Sequence, residues 1–129
     1  MNKINILVIE DNRAISGLLS LALGKKGYQV FTAFNSKDGL KKLKNTPFGL
    51  IILDVVLPDI NGFEVLEHIK KIDVINKIPV IMCTEKNLVG DIDRAIQAGA
   101  AGYITKPFDI ERVLEKVDSI LKKDGALKK

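Results

Sequence analysis

With 129 residues, 47% of them hydrophobic, and a formal charge of +4, the chain has the length of one domain with a buried core and is too apolar for a disordered tail. No apolar run nears the roughly 20 residues that a membrane span requires, and Met1-Asn2-Lys3 enters strand-like sequence without a signal-peptide pattern. The 20 basic groups, against 16 acidic, are mostly lysines spread in pairs with no tryptophan nearby, which argues for solvated helix faces and against direct nucleic-acid binding.

Ile4-Asn5-Ile6-Leu7-Val8-Ile9 is mostly apolar and β-branched and predicts a buried strand. Ile15, Leu18, Leu19, Ala22 and Leu23 recur at helical spacing and predict a helix with that apolar face, closed by Gly27 in a left-handed turn. Tyr28 to Ala33 reads as a second strand. Ser36 is placed to cap a short helix carrying Leu40 and Leu43, which Pro47 prevents from extending. Leu50 to Asp54 is a third strand. After the turn Pro58-Asp59-Ile60-Asn61-Gly62, a helix carries Phe63, Leu66 and Ile69. Pro79 to Thr84 is a fourth strand, and Ile92, Ala95 and Ile96 mark a helix that Gly99 ends. Tyr103-Ile104-Thr105 is a short fifth strand. Asp109 caps a last helix with Ile110, Val113, Leu114, Val117, Ile120 and Leu121 on one face.

Strand and helix thus alternate five times. Apolar strands between amphipathic helices imply a parallel sheet covered on both faces, an α/β doubly wound fold. One domain over residues 1–122 with a short, frayed basic tail over 123–129 is expected. The single cysteine, Cys83, cannot form an internal disulfide and suits a reducing cytoplasm.

In such sheets ligands bind at the carboxyl ends of the strands. Here those ends carry Glu10-Asp11, Asp54, Thr84 and Lys106. Two carboxylates about 4 Å apart repel by roughly 4 kcal/mol at an effective dielectric near 20. Either one keeps a proton or a cation joins them. Three acids exceed what one lysine compensates, and all-oxygen donors favour Mg²⁺ or its hard relatives over zinc. The lone histidine, His68, falls on a helix away from this rim. A metal-bound carboxylate beside Lys and Thr suits phosphoryl chemistry, with Asp54 as nucleophile forming an acyl phosphate. Lys106 and Thr84 would then face the phosphoryl oxygens.

These residues lie in VIEDN (8–12), LIILDVVLPDINGFEVL (50–66), MCT (82–84) and AGAAGYITKPF (98–108). In combination the chain, from Ile4 to about Leu121, resembles the receiver domain of bacterial two-component response regulators, in a stand-alone, chemotaxis-regulator-like form. The resemblance implies that Asp54 is the phosphoacceptor and also binds Mg²⁺. It implies that Asp11 is a direct metal ligand paired with Glu10, and that the Val56 carbonyl completes the protein's metal contacts. It matches Thr84 and Tyr103 to a switch pair and Lys106 to the phosphate-pairing lysine. It also implies a cis bond before Pro107. The implied partners are a sensor histidine kinase or phosphotransfer protein and a downstream protein docking on the fourth helix, fifth strand and fifth helix. The resemblance further implies a switch that assists its own phosphorylation and dephosphorylation only, and is not an enzyme.

Two positions depart from the commonest family pattern. Glu10 stands where aspartate is frequent, and Glu85 follows Thr84 where a small residue is usual, which makes Glu85 a candidate modulator of phosphorylation or dephosphorylation, the alternative being that it points to solvent. An aspartyl phosphatase is a rival reading, but it needs a second acid two residues after the nucleophile, where Val56 stands. A flavin mononucleotide carrier is another. The acidic Glu10-Asp11-Asn12 turn would repel its phosphate unless a metal intervened. A phosphorylation-independent protein-binding module is the third, kept open by Glu85.

Overall fold

The computed structural model describes residues 3–85 and 89–125. In chain order the elements are β1 (Asn5–Ile9), α1 (Arg13–Lys25), β2 (Gln29–Ala33), α2 (Ser36–Asn45), β3 (Leu50–Asp54), α3 (Gly62–Lys70), β4 (Val80–Glu85), α4 (Val89–Gln97), β5 (Gly102–Lys106) and α5 (Ile110–Lys123). The five strands form one parallel sheet in the order β2-β1-β3-β4-β5. Among the described residues no helix is long and apolar enough to cross a membrane.

The sheet is apolar on both faces, and the two-residue period of its strands divides the core. Leu7, Ile9, Ile51, Leu53, Val80 and Met82 point to one side, where Leu43 of α2, Phe63, Leu66 and Ile69 of α3 and Ala95 of α4 cover them. Ile6, Val8, Leu50, Ile52, Ile81 and Cys83 point to the other, under Leu19 and Leu23 of α1 and Val113, Val117 and Leu121 of α5. Each fully buried aliphatic side chain contributes about 1.5–3 kcal/mol. This two-sided demand for apolar cover is why β3 is buried along its whole length.

Local signals set the helix ends. Asn12, Asn61 and Asp109 accept first-turn N–H groups of α1, α3 and α5. Gly27 has φ 98°, the left-handed geometry expected of it after α1. Two expectations need correction. The cap of α2 is Asn35, whose side chain accepts from Asp38 N at 2.8 Å; Ser36 is already in the first turn. Leu18, placed on the buried face of α1, is 49% exposed, while Ser16 is buried. The sheet contacts the arc through Ser16, Leu19 and Leu23, so Leu18 falls outside it. Helix α5 includes Lys123, the first residue of the expected tail, and is capped by Asp124; residues 126–129 lie outside the described residues.

Chain order and strand order together create the site. From β1 the chain steps outward to β2, then returns past β1 to β3, so the direction of winding reverses between β1 and β3. A crevice opens at the carboxyl ends there. Ile9 pairs with Leu53, which sets Glu10 and Asp54 side by side at its mouth. Thr84 pairs with Thr105, and Glu85 with Lys106, on the flank.

Candidate functional site

Glu10, Asp54 and Thr84 are polar residues held in the interior, at 2%, 5% and 1% exposure. Asp11 is exposed beside them. One carboxylate oxygen from each of Glu10, Asp11 and Asp54 lies within 4.8 Å of the others. Lys106 enters from β5, donating to Glu10 Oε1 at 2.7 Å and standing 3.1 Å from Asp54 Oδ2. The remaining Glu10 oxygen accepts from Asn12 N at 3.1 Å, and Val56 N lies 3.4 Å from Asp54 Oδ1. The Lys106–Pro107 peptide bond is cis, as the resemblance implied.

The electrostatics show an excess of negative charge. Burial, together with the neighbouring Glu10 charge, pushes the Asp54 carboxyl up to about 7, although Lys106 pulls the other way. Burial by itself would lower Lys106. The hydrogen bond to Glu10 and the charges of Asp54 and Glu10 outweigh it and raise the ammonium above its ordinary value. Among the described residues, one cation, Lys106, therefore serves two buried acids with a third close by. The donor set is entirely oxygen and compact, and it holds more negative charge than Lys106 neutralises. It fits a hard divalent cation.

Among the described residues, the Thr84 hydroxyl is buried without a hydrogen-bond partner. Buried polar atoms are rarely left so, and Thr84 stands beside the strand end that carries Asp54. Tyr103 is half-buried, with the Lys116 ammonium of α5 5.2 Å from its ring centre. It lines a cavity of about 440 Å³ together with Thr105, Phe108, Arg112 and Lys116. Glu85 is exposed, and His68 is exposed on α3 outside the acidic cluster, as expected.

The sequence reading expected Glu10, Asp11 and Asp54 at one rim, where the structure clusters them, but missed Asp59. Its carboxylate accepts four hydrogen bonds, from Ser36 N at 3.0 Å, Ser36 Oγ at 2.6 Å, Lys37 N at 3.1 Å and Ile60 N at 3.0 Å. The loop leaving Asp54 is thereby fastened to the first turn of α2. An aspartate after a proline signals a turn, and nothing in that spacing names a partner 23 residues earlier.

The family model of the response regulator receiver domain matches residues 6–118. The chain is 38% identical over 118 residues to the response regulator ArlR of Staphylococcus aureus, spanning 92% of this chain and 52% of that protein. It is 36% identical over 125 residues to the uncharacterized transcriptional regulatory protein YkoG of Bacillus subtilis, spanning 97% of this chain and 54% of that one. The chain thus spans about half the length of these curated relatives. Among solved structures, the CheY-like response regulator receiver domain protein from Methanospirillum hungatei is 31% identical with a TM-score of 0.89, covering 97% of this chain and 98% of that one.

Proposed function

The chain belongs to the response regulator receiver domains of two-component signalling, and on that premise we propose that it is a switch set by phosphorylation of Asp54. The donor is a histidine kinase or phosphotransfer protein. The observation that carries this reading is a buried carboxylate, Asp54, held 3.1 Å from the Lys106 ammonium and beside Glu10 and Asp11.

A deprotonated Asp54 oxygen attacks phosphorus. The new O–P bond forms as the P–N bond to the donor imidazole breaks, and the imidazole nitrogen leaves with the electron pair. Asp54 must be ionised to attack, and its raised pKa makes that state sensitive to whatever offsets Glu10. Mg²⁺ held by Glu10, Asp11, Asp54 and the Val56 carbonyl would supply charge neutralisation to the carboxylates and the incoming phosphoryl oxygens. Lys106, already within reach of Asp54, pairs with one of those oxygens. Thr84 has a free buried hydroxyl to donate to another.

The output follows from the same contacts. Turning Thr84 toward a phosphoryl oxygen changes the packing beside Tyr103 on the adjoining strand. Tyr103 then rearranges the α4-β5-α5 surface, where a downstream protein docks. Taking a switch from mostly off to mostly on requires about 5.5 kcal/mol of differential stabilisation. Two charge-assisted hydrogen bonds near the top of the roughly 1.5–3 kcal/mol range, or three near its middle, reach that figure. The buried, unpaired thiol of Cys83 is compatible with action in the reducing cytoplasm.

The deciding experiment is incubation with acetyl phosphate, with and without Mg²⁺, read by intact mass. Wild type is expected to gain one phosphoryl group only when Mg²⁺ is present, and Asp54→Asn none. A gain by Asp54→Asn, or none by wild type, overturns the reading.

A further inference from the structure

The loop between Asp54 and α3 carries the backbone of the cation site, so what holds this loop bears on cation affinity. Its ends are fixed by backbone alone. Val55 N donates to Cys83 O at 3.0 Å, and Gly62 N returns to Val55 O at 2.7 Å. A Cβ at Gly62 would collide with the Asp54 carbonyl and lie 2.9 Å from Val55 Cα, so the loop closes tightly on the residue it left. Between these ends Leu57 is buried, while Val56, Pro58, Asp59, Ile60 and Asn61 are exposed. Across that exposed span, Asn61 caps the following helix α3, and the Asp59 carboxylate links the loop to Ser36 and Lys37 of α2.

We infer that Asp59 is a positioning residue for the cation site, holding the Val56 backbone in place by clamping the loop to α2. The inference rests on the cation site proposed above. Asp59 does not belong to the cluster of Glu10, Asp11 and Asp54, so it acts through the loop and not as a ligand. The arrangement exceeds what capping α2 requires. Asn35 already accepts Asp38 N, and the Asp59 carboxylate adds two first-turn N–H groups, the Ser36 hydroxyl and Ile60 N of its own loop. One carboxylate therefore orders both sides of the junction, which is how partners behind metal ligands set affinity.

The test measures Mg²⁺ affinity by calorimetric titration, alongside thermal stability, for wild type and three variants. Asp59→Ala is expected to weaken Mg²⁺ binding on the order of tenfold. Ser36→Ala removes one contact without changing charge and is expected to weaken binding in the same direction but less. Asn35→Ala removes the other cap of α2, so it lowers thermal stability while leaving Mg²⁺ affinity at the wild-type value. If Asp59→Ala lowers stability with unchanged affinity, Asp59 is only a helix cap and the inference fails. If Asp59→Ala weakens binding but Ser36→Ala does not, the effect is one of charge and the inference also fails. If wild type itself binds no Mg²⁺, the failure lies in the cation site.

Discussion

Lys106 and Glu10, 96 positions apart in the chain, meet at 2.7 Å, and the same ammonium stands 3.1 Å from Asp54. Removing the ammonium leaves two buried acids facing each other. Lys106→Ala is expected to lose about 1–3 kcal/mol of stability in chelator at pH 8. The deficit narrows toward pH 5, where Asp54 takes up a proton. Chemical denaturation at the two pH values reads it. An equal deficit at both would contradict this account of the pair.

Asp54 supplies the sign of the pH dependence. Its pKa rises from 3.8 to about 7 on folding, so between those values the folded chain holds more protons than the unfolded one. Stability of the cation-free protein therefore falls as pH rises from about 4 to 7, by at most about 4 kcal/mol. Asp54→Asn removes this slope and is expected to be the more stable protein at pH 8 in chelator. Mg²⁺ should restore more stability to wild type than to Asp54→Asn. Melting curves across pH would refute the idea if the two proteins ran parallel.

Among the described residues, none partners the buried Thr84 hydroxyl. Thr84→Val exchanges it for a methyl group of the same shape, and a gain of about 1 kcal/mol is expected in the unphosphorylated protein. The same change should blunt the structural response to beryllium fluoride. A valine variant that is less stable, yet responds fully, would assign the hydroxyl no role.

Glu85 is exposed and stands opposite Lys106 in the sheet register. Its charge opposes an approaching anionic donor. Glu85→Ala is expected to speed phosphorylation by acetyl phosphate roughly two- to fivefold at low salt, the gain shrinking as salt rises. Intact-mass time courses would show it, and identical rates for phosphorylation and dephosphorylation would dismiss Glu85 as a modulator.

The central strands were legible because burial on both faces leaves them almost wholly apolar, and Leu50 to Leu53 carries that signature undiluted. The acids were legible because each interrupts such a run at its end. Helix periodicity fixes spacing but not which arc meets the sheet, so Leu18 was placed inside and Ser16 was not. Asn35 and Ser36 are adjacent residues of similar capping strength, and the sequence alone does not choose between them. The clamp made by Asp59 depends on a loop meeting the first turn of a helix in space, and no local pattern encodes that meeting.

The acids ride on β1 and β3, whose neighbours pair with them on both sides, whereas Lys106 and Tyr103 ride on β5 at the border of the sheet. Border strands open at lower free energy than central ones. Backbone amides of Tyr103 and Ile104 should therefore exchange with deuterium well before those of Leu7 and Ile52. The negative half of the pocket is an anvil, and the half that answers it is mounted on one of the sheet's two border rails.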